Sequence, residues 1–222
     1  MPSAFHSVLT KAYELLAGHV GVFFTALTGS FFGAVSAYWT ERAKEARKKR
    51  IEQHGAIVRS QMALISQLNT IGNIQKQHLN PFREDPNRAA KLITFQMSDT
   101  SLRVAYDTLA FLLMEKNTNL VLEVQAAEQS YLSAMEVLAT RNEAQDILHK
   151  NSKIESFDQQ TGACKIVVQD PRNIKMVVDF TNALYSATDM ACERLTLQIQ
   201  ELEKAGKTLY PKKKFLKIIG EK

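Results

Sequence analysis

The chain has 222 residues, a net charge of +5, 45% hydrophobic residues and 23% charged ones. Nine glycines and five prolines in that length exclude a collagen-like or low-complexity chain, and two cysteines exclude a disulfide scaffold. Ala, Leu, Gln, Glu and Lys are plentiful, which favours helix.

Residues 1–14 read as a short external leader that joins the first helix, with Phe5, Val8, Leu9, Tyr13 and Leu16 at helical spacing. Residues 15–40 then carry no formal charge. A spanning helix takes about 20 mostly apolar residues, because the hydrocarbon layer is roughly 30 Å thick and each residue rises about 1.5 Å. The stretch therefore predicts a single transmembrane helix. Tyr38 and Trp39 supply amphipathic rings at headgroup level, and Arg42, Lys44, Arg47, Lys48, Lys49 and Arg50 follow at once. The positive-inside bias places the amino terminus outside the cell membrane and all that follows in the cytoplasm. A signal peptide would need a basic leader, which is missing, and an amphipathic surface helix would need a charged face. A buried core helix is the competing reading that Thr25, Thr28, Ser30 and Ser36 leave open.

Small residues recur at every fourth position, at Gly21, Thr25, Gly29, Gly33 and Ala37. Such a ridge lets two helix backbones approach closely where lipid removes any hydrophobic drive to associate. It predicts self-association into a homo-oligomer.

From Glu41 the helix is expected to continue to about Leu79, since proline is absent until Pro81. Ile51, Val58 and Ile65 recur every seven residues, flanked by Ile57, Leu64 and Ile71. This broad stripe needs a partner, in a bundle core or a coiled coil. Residues 80–87 read as a polar turn, with Asp85 as cap and Pro86 opening a second helix that kinks near 98–101 and ends by Lys116. A third helix is expected over 120–149, with Val124, Tyr131 and Leu138 in one column. Residues 153–168 read as a small β-hairpin or an ordered excursion around Gln159–Gly162. Asp170–Pro171 opens the last helix, with Ile174, Leu195, Leu202 and Leu209 in one column and Val177, Leu184, Ala191 and Ala205 beside it, interrupted by Thr181 and Thr188. Gly206 and Pro211 end it.

The fold class that follows is all-α: a transmembrane helix (15–40), a long juxtamembrane helix (41–79), and a cytoplasmic antiparallel bundle of four alternating helices completed by 80–209. Residues 210–222 are then a basic amphipathic tail. Lys212, Lys213, Lys214 and Lys217 alternate there with Phe215, Leu216, Ile218 and Ile219. A pI near 9.1, with basicity gathered at 41–50 and in the tail, points to anionic lipid surfaces before nucleic acid.

The search for chemistry is negative. There is no His-Glu-x-x-His, Cys-x-x-Cys or Gly-x-Ser-x-Gly. Gly206-Lys207-Thr208 resembles the end of a phosphate loop, but Glu201 stands where the leading glycine belongs and the triplet closes a helix. Cys164 and Cys192 have no metal spacing and read as reduced thiols. Glu143, Asp146 and His149 share a spacing that could meet a cation, although a solvated helix face explains them more simply. No catalytic residue, cofactor or metal is expected. The function that remains is a non-enzymatic oligomeric interaction or scaffold module, with itself, anionic lipids and a cytosolic protein as partners. Two alternatives are an oligomerising effector that permeabilises the bilayer and a membrane-tethered enzyme.

Overall fold

Proline-free sequence from Ser3 to Asn80 lets one helix, α1 (Ser3–Ile74), run uninterrupted before a π turn (Gln75–Leu79) and a 3-10 turn (Asn80–Phe82) end it at Pro81. A computed structural model describes the backbone of residues 3–95, 101–114, 118–157, 164–168 and 170–217, and side chains over 28–95, 101–114, 118–152 and 170–217. The chain divides into two units, residues 1–52 and 53–222. The order after α1 is α2 (Arg88–Lys91), a 3-10 turn (Tyr106–Leu109), α3 (Ala110–Met114), α4 (Thr118–Lys150), β1 (Ser152–Phe157), β2 (Cys164–Val168) and α5 (Pro171–Leu209).

The chain is thus largely helical, and residues 53–222 form a helical bundle. Among the described residues no helix is long and apolar enough to cross a membrane. The transmembrane helix expected over 15–40 is therefore no part of the described fold. Residues 15–27 lie outside the described side chains, and residues 28–40 alone span roughly 20 Å of a 30 Å layer.

Three long helices make the bundle, where four were expected. Gln61 bonds the Ile199 carbonyl and Gln75 the Asp189 carboxylate, so α1 and α5 run antiparallel. Ser130 meets Arg194 and Arg141 meets Thr181, which makes α4 antiparallel to α5 as well. Parallel α1 and α4 then require a return segment, and residues 80–114 supply it.

That segment includes the expected second helix, but only Arg88–Lys91 and Ala110–Met114 of its described residues are α-helical. Its backbone groups are claimed by side chains instead of by an i→i−4 ladder. Arg141 binds the carbonyls of Ala89, Leu92 and Ile93, Asn142 that of Phe95, and Gln67 that of Leu102. Glu128 accepts from the Val104 amide. Asp85 forms an Asx turn to the Asn87 amide, at 2.8 Å, and Asn87, two residues on, takes the cap position expected of Asp85.

The core stripe of α1 is turned by one position from the expected column. Ile57, Leu64 and Ile71 are fully buried, with Ala56, Ala63 and Ile74 beside them. Ile51, by contrast, is 54% exposed. On α4 the buried column is Val124, Tyr131 and Leu138, and on α5 it is Val177, Leu184, Ala191, Leu195 and Leu202, while Ile174 is exposed. Thr181 and Thr188 sit inside the core without cost because each hydroxyl is bonded. Thr188 donates to the Leu184 carbonyl at 2.9 Å, and Thr181 accepts from Arg141. Asp170 caps α5 through the Arg172 amide at 2.9 Å, with Pro171 at the first helical position. The two strands pair antiparallel, with Ser152 opposite Val168 and Phe157 opposite Cys164.

Candidate functional site

The candidate site has two parts, the N-terminal stretch of α1 and the polar and apolar surfaces of the bundle. Within the first unit, every described residue from 28 to 52 except Val35 is exposed. That includes Phe31 at 66% and Trp39 at 64%, together with Phe32 and Tyr38. Adjacent rings meet edge to face, Phe31 on Phe32 at 6.1 Å and Tyr38 on Trp39 at 6.4 Å. A methyl group added at Gly29 or Gly33 would touch nothing within 4 Å, and Ala37 is exposed, so this part of the small-residue ridge is open. Gly21 and Thr25 lie outside the described side chains. Thr40 donates to the Ser36 carbonyl at 2.8 Å, the back-bond that lets a hydroxyl sit in an apolar helix.

Arg42, Lys44, Arg47, Lys48, Lys49 and Arg50 are all exposed on the same helix. Only weak contacts restrain them. Arg42 reaches the Tyr38 hydroxyl at 3.4 Å, and Lys48 lies 4.0 Å from Glu52.

In the bundle, the charged groups that a sequence reading would weigh for catalysis are held as struts. Glu128 is 6% exposed and accepts from Gln67 at 2.7 Å, the Val104 amide at 3.2 Å and the Tyr106 hydroxyl at 2.5 Å. Burial, and then this bond to Glu128, hold the Tyr106 phenol well above its ordinary range. Arg141 is 0% exposed, and its acceptors are neutral oxygens: three backbone carbonyls, the Thr181 hydroxyl and the Gln145 amide. Burial pushes its guanidinium pKa down. Tyr185 donates to the Leu79 carbonyl at 2.7 Å while Arg83 and Arg88 lie over its ring at 5.2 and 4.7 Å. Arg83 in turn grips Asp189 with two nitrogens at 2.8 Å, which holds that carboxyl below the usual range. Each of these groups has its partners among the described residues.

Cys192 is free and half-buried, and burial raises its thiol pKa, the reverse of what a nucleophile needs. Glu143, Asp146 and His149 are exposed, and His149 meets Gln145 at 3.0 Å. Among the described residues no group of three His, Cys, Asp or Glu could hold a metal ion. A shallow groove of about 530 Å³ runs between α4 and α5, floored by Ala126, Ser130, Ser133, Ala183 and Ala187. Met190 and Arg194 stand at its edge.

The described part of the tail lies against the bundle. Residues 210–217 are not helical: the chain turns at Tyr210–Lys213 and doubles back along the bundle. Lys212, Lys213, Lys214 and Lys217 are exposed, but Phe215 and Leu216 are half-buried between α1 and α5. Gln61 forms a two-way bond with the Leu216 backbone, donating to its carbonyl at 3.3 Å and accepting from its amide at 3.2 Å. His54 binds the Lys214 carbonyl at 3.1 Å, and Tyr210 donates to Gln53 at 2.8 Å. This clasp was not read from the sequence. Its one signal was a buried glutamine on an apolar stripe, two turns from a histidine.

Comparison of the chain with family models, with curated proteins and with solved structures returns no match.

Proposed function

We propose that this chain is a membrane-anchored, non-enzymatic interaction module. Residues 15–40 embed in the bilayer and self-associate through Gly21, Thr25, Gly29, Gly33 and Ala37. The basic residues 42–50 and the lysines of the tail meet anionic headgroups, and the bundle of residues 53–222 faces the cytosol to engage a protein partner.

One observation carries the reading. The described N-terminal helix keeps Phe31, Phe32, Tyr38 and Trp39 exposed with open glycines between them, and six exposed cations follow directly. In water such a surface is a liability, because contiguous exposed apolar area marks a contact site. Lipid on the apolar part and anionic headgroups on the basic part satisfy both, with aromatic rings at the boundary.

The experiment is the mass of the full-length protein in mild detergent, beside Gly33→Leu and beside a chain beginning at Glu41. An oligomer that falls to monomer in both altered forms supports the reading. Oligomers from all three would move assembly into the bundle, and a full-length protein that stays in solution without detergent or lipid would remove the anchor.

A further inference from the structure

The described contacts that hold residues 212–217 to the bundle are neutral. Phe215 packs on Gly206, where an added β-carbon would lie 2.4 Å from the ring, and its ring centroid is 5.0 Å from that of His54. Only a glycine admits the ring. The other holds are bonds from Gln61 to the Leu216 backbone and from His54 to the Lys214 carbonyl, with the Tyr210 hydroxyl donating to Gln53. Among the described residues, none of Lys212, Lys213, Lys214 and Lys217 forms an ion pair, although acidic residues lie nearby on α5 and two of these, Glu201 and Glu203, pair with Lys204 and Lys207 of their own helix. Among the described residues the strap thus presents four unpaired, exposed cations, while Phe215 packs on the core and Leu216 is half-buried.

We infer that residues 210–217 are a latch released by an anionic lipid surface. This rests on the membrane reading above. Each lysine near such a surface raises partitioning about fivefold, so four acting together supply on the order of several hundredfold in favour of the surface. Against this stand the half-buried Phe215 and Leu216, three bonds to the strap backbone and the Tyr210–Gln53 bond, a hold of the same order. On release, Phe215 and Leu216 pass from the groove between α1 and α5 into the headgroup boundary, where lysines with apolar neighbours bind best.

The test uses full-length protein with Trp39→Phe and Phe215→Trp, since Trp39 is the sole tryptophan. The protein is added to vesicles with brominated acyl chains, either neutral or containing about 30 mol% phosphatidylglycerol. Flotation reads membrane association, and tryptophan quenching reads the latch. Quenching several-fold greater over the anionic vesicles, abolished by changing the four lysines to Gln while flotation persists, is the expected result. Flotation with equal quenching over both vesicles overturns the latch and leaves the anchor standing; loss of flotation overturns both. Gly206→Ala, which leaves no room for the ring, should bring quenching on at a lower anionic fraction. Because a tryptophan at 215 could seat poorly, deuterium uptake of 210–217 in the unaltered chain gives a second measure. Faster exchange at Leu216 over anionic than over neutral vesicles supports the latch, and equal exchange overturns it.

Discussion

The two units of this chain treat the same kinds of residue in opposite ways. Between 53 and 217 the large apolar columns are covered, and buried polar groups such as Gln67, Glu128 and Arg141 have named partners. Between 28 and 52 the helix is just as continuous, yet its phenylalanines, tyrosine and tryptophan stay exposed. Helix formation therefore needs only local propensity and the absence of proline, whereas covering a face needs a second element. The bundle's columns find that second element in its own helices.

Disturbing the bundle should accordingly cost far more than disturbing the exposed helix. Arg141→Met should have the largest effect, because it strands the carbonyls of Ala89, Leu92 and Ile93 with nothing to replace a planar fork of donors. A loss of about 4 kcal/mol in urea unfolding is expected, with the return segment becoming open to proteolysis first. A loss under about 1 kcal/mol would mean that water can replace the guanidinium.

Tyr106→Phe should remove about 1–2 kcal/mol at neutral pH by leaving Glu128 one donor short. It should also change the pH dependence. The phenol pKa is higher in the folded chain than in the unfolded one, so its stabilisation is complete below the ordinary phenol range and is lost as pH rises above about 10. Unfolding midpoints measured from pH 8 to 11 should fall less steeply in the variant; parallel curves would count against this assignment.

Asp189→Asn tests the opposite limb. Its carboxyl pKa is lowered by Arg83, so its contribution is present above the ordinary carboxylate range and fades as pH falls through the lowered folded value. The pair is partly exposed, and a loss of no more than about 1 kcal/mol is expected.

In the exposed helix the smallest effect is predicted. Lys48→Ala should shift the unfolding midpoint of the bundle by nothing measurable, since its pairing with Glu52 is at 4.0 Å and solvated. It should still weaken binding to anionic vesicles by about fivefold. A variant that unfolds the bundle without touching vesicle binding, and another that does the reverse, would establish the comparison in full.

Much of the fold was legible because helices report themselves locally. The columns Val124–Tyr131–Leu138 and Val177–Leu184–Ala191 could be read from spacing alone, as could the Asp170–Pro171 start of α5. The stripe of α1 was read one position off, since columns led by Ile51 and by Ile57 are equally apolar and only the position of α4 and α5 decides between them. Of the candidate site, the small-residue ridge and the two basic runs were legible as composition. The clasp on the tail was not, because Gln61 and Leu216 are 155 residues apart.

The sequence by itself determined the long helices, the Asp170–Pro171 start of α5 and the uncharged stretch before the basic run, for these follow from propensity, proline placement and charge. Only the tertiary structure decided that residues 92–95 and 101–105 are not helical and that the tail folds back. In both places the backbone is claimed by distant side chains, Arg141, Asn142, Gln67 and Glu128 in one case and Gln61 and His54 in the other. A hydrogen bond to a remote side chain leaves no periodicity in the segment that receives it.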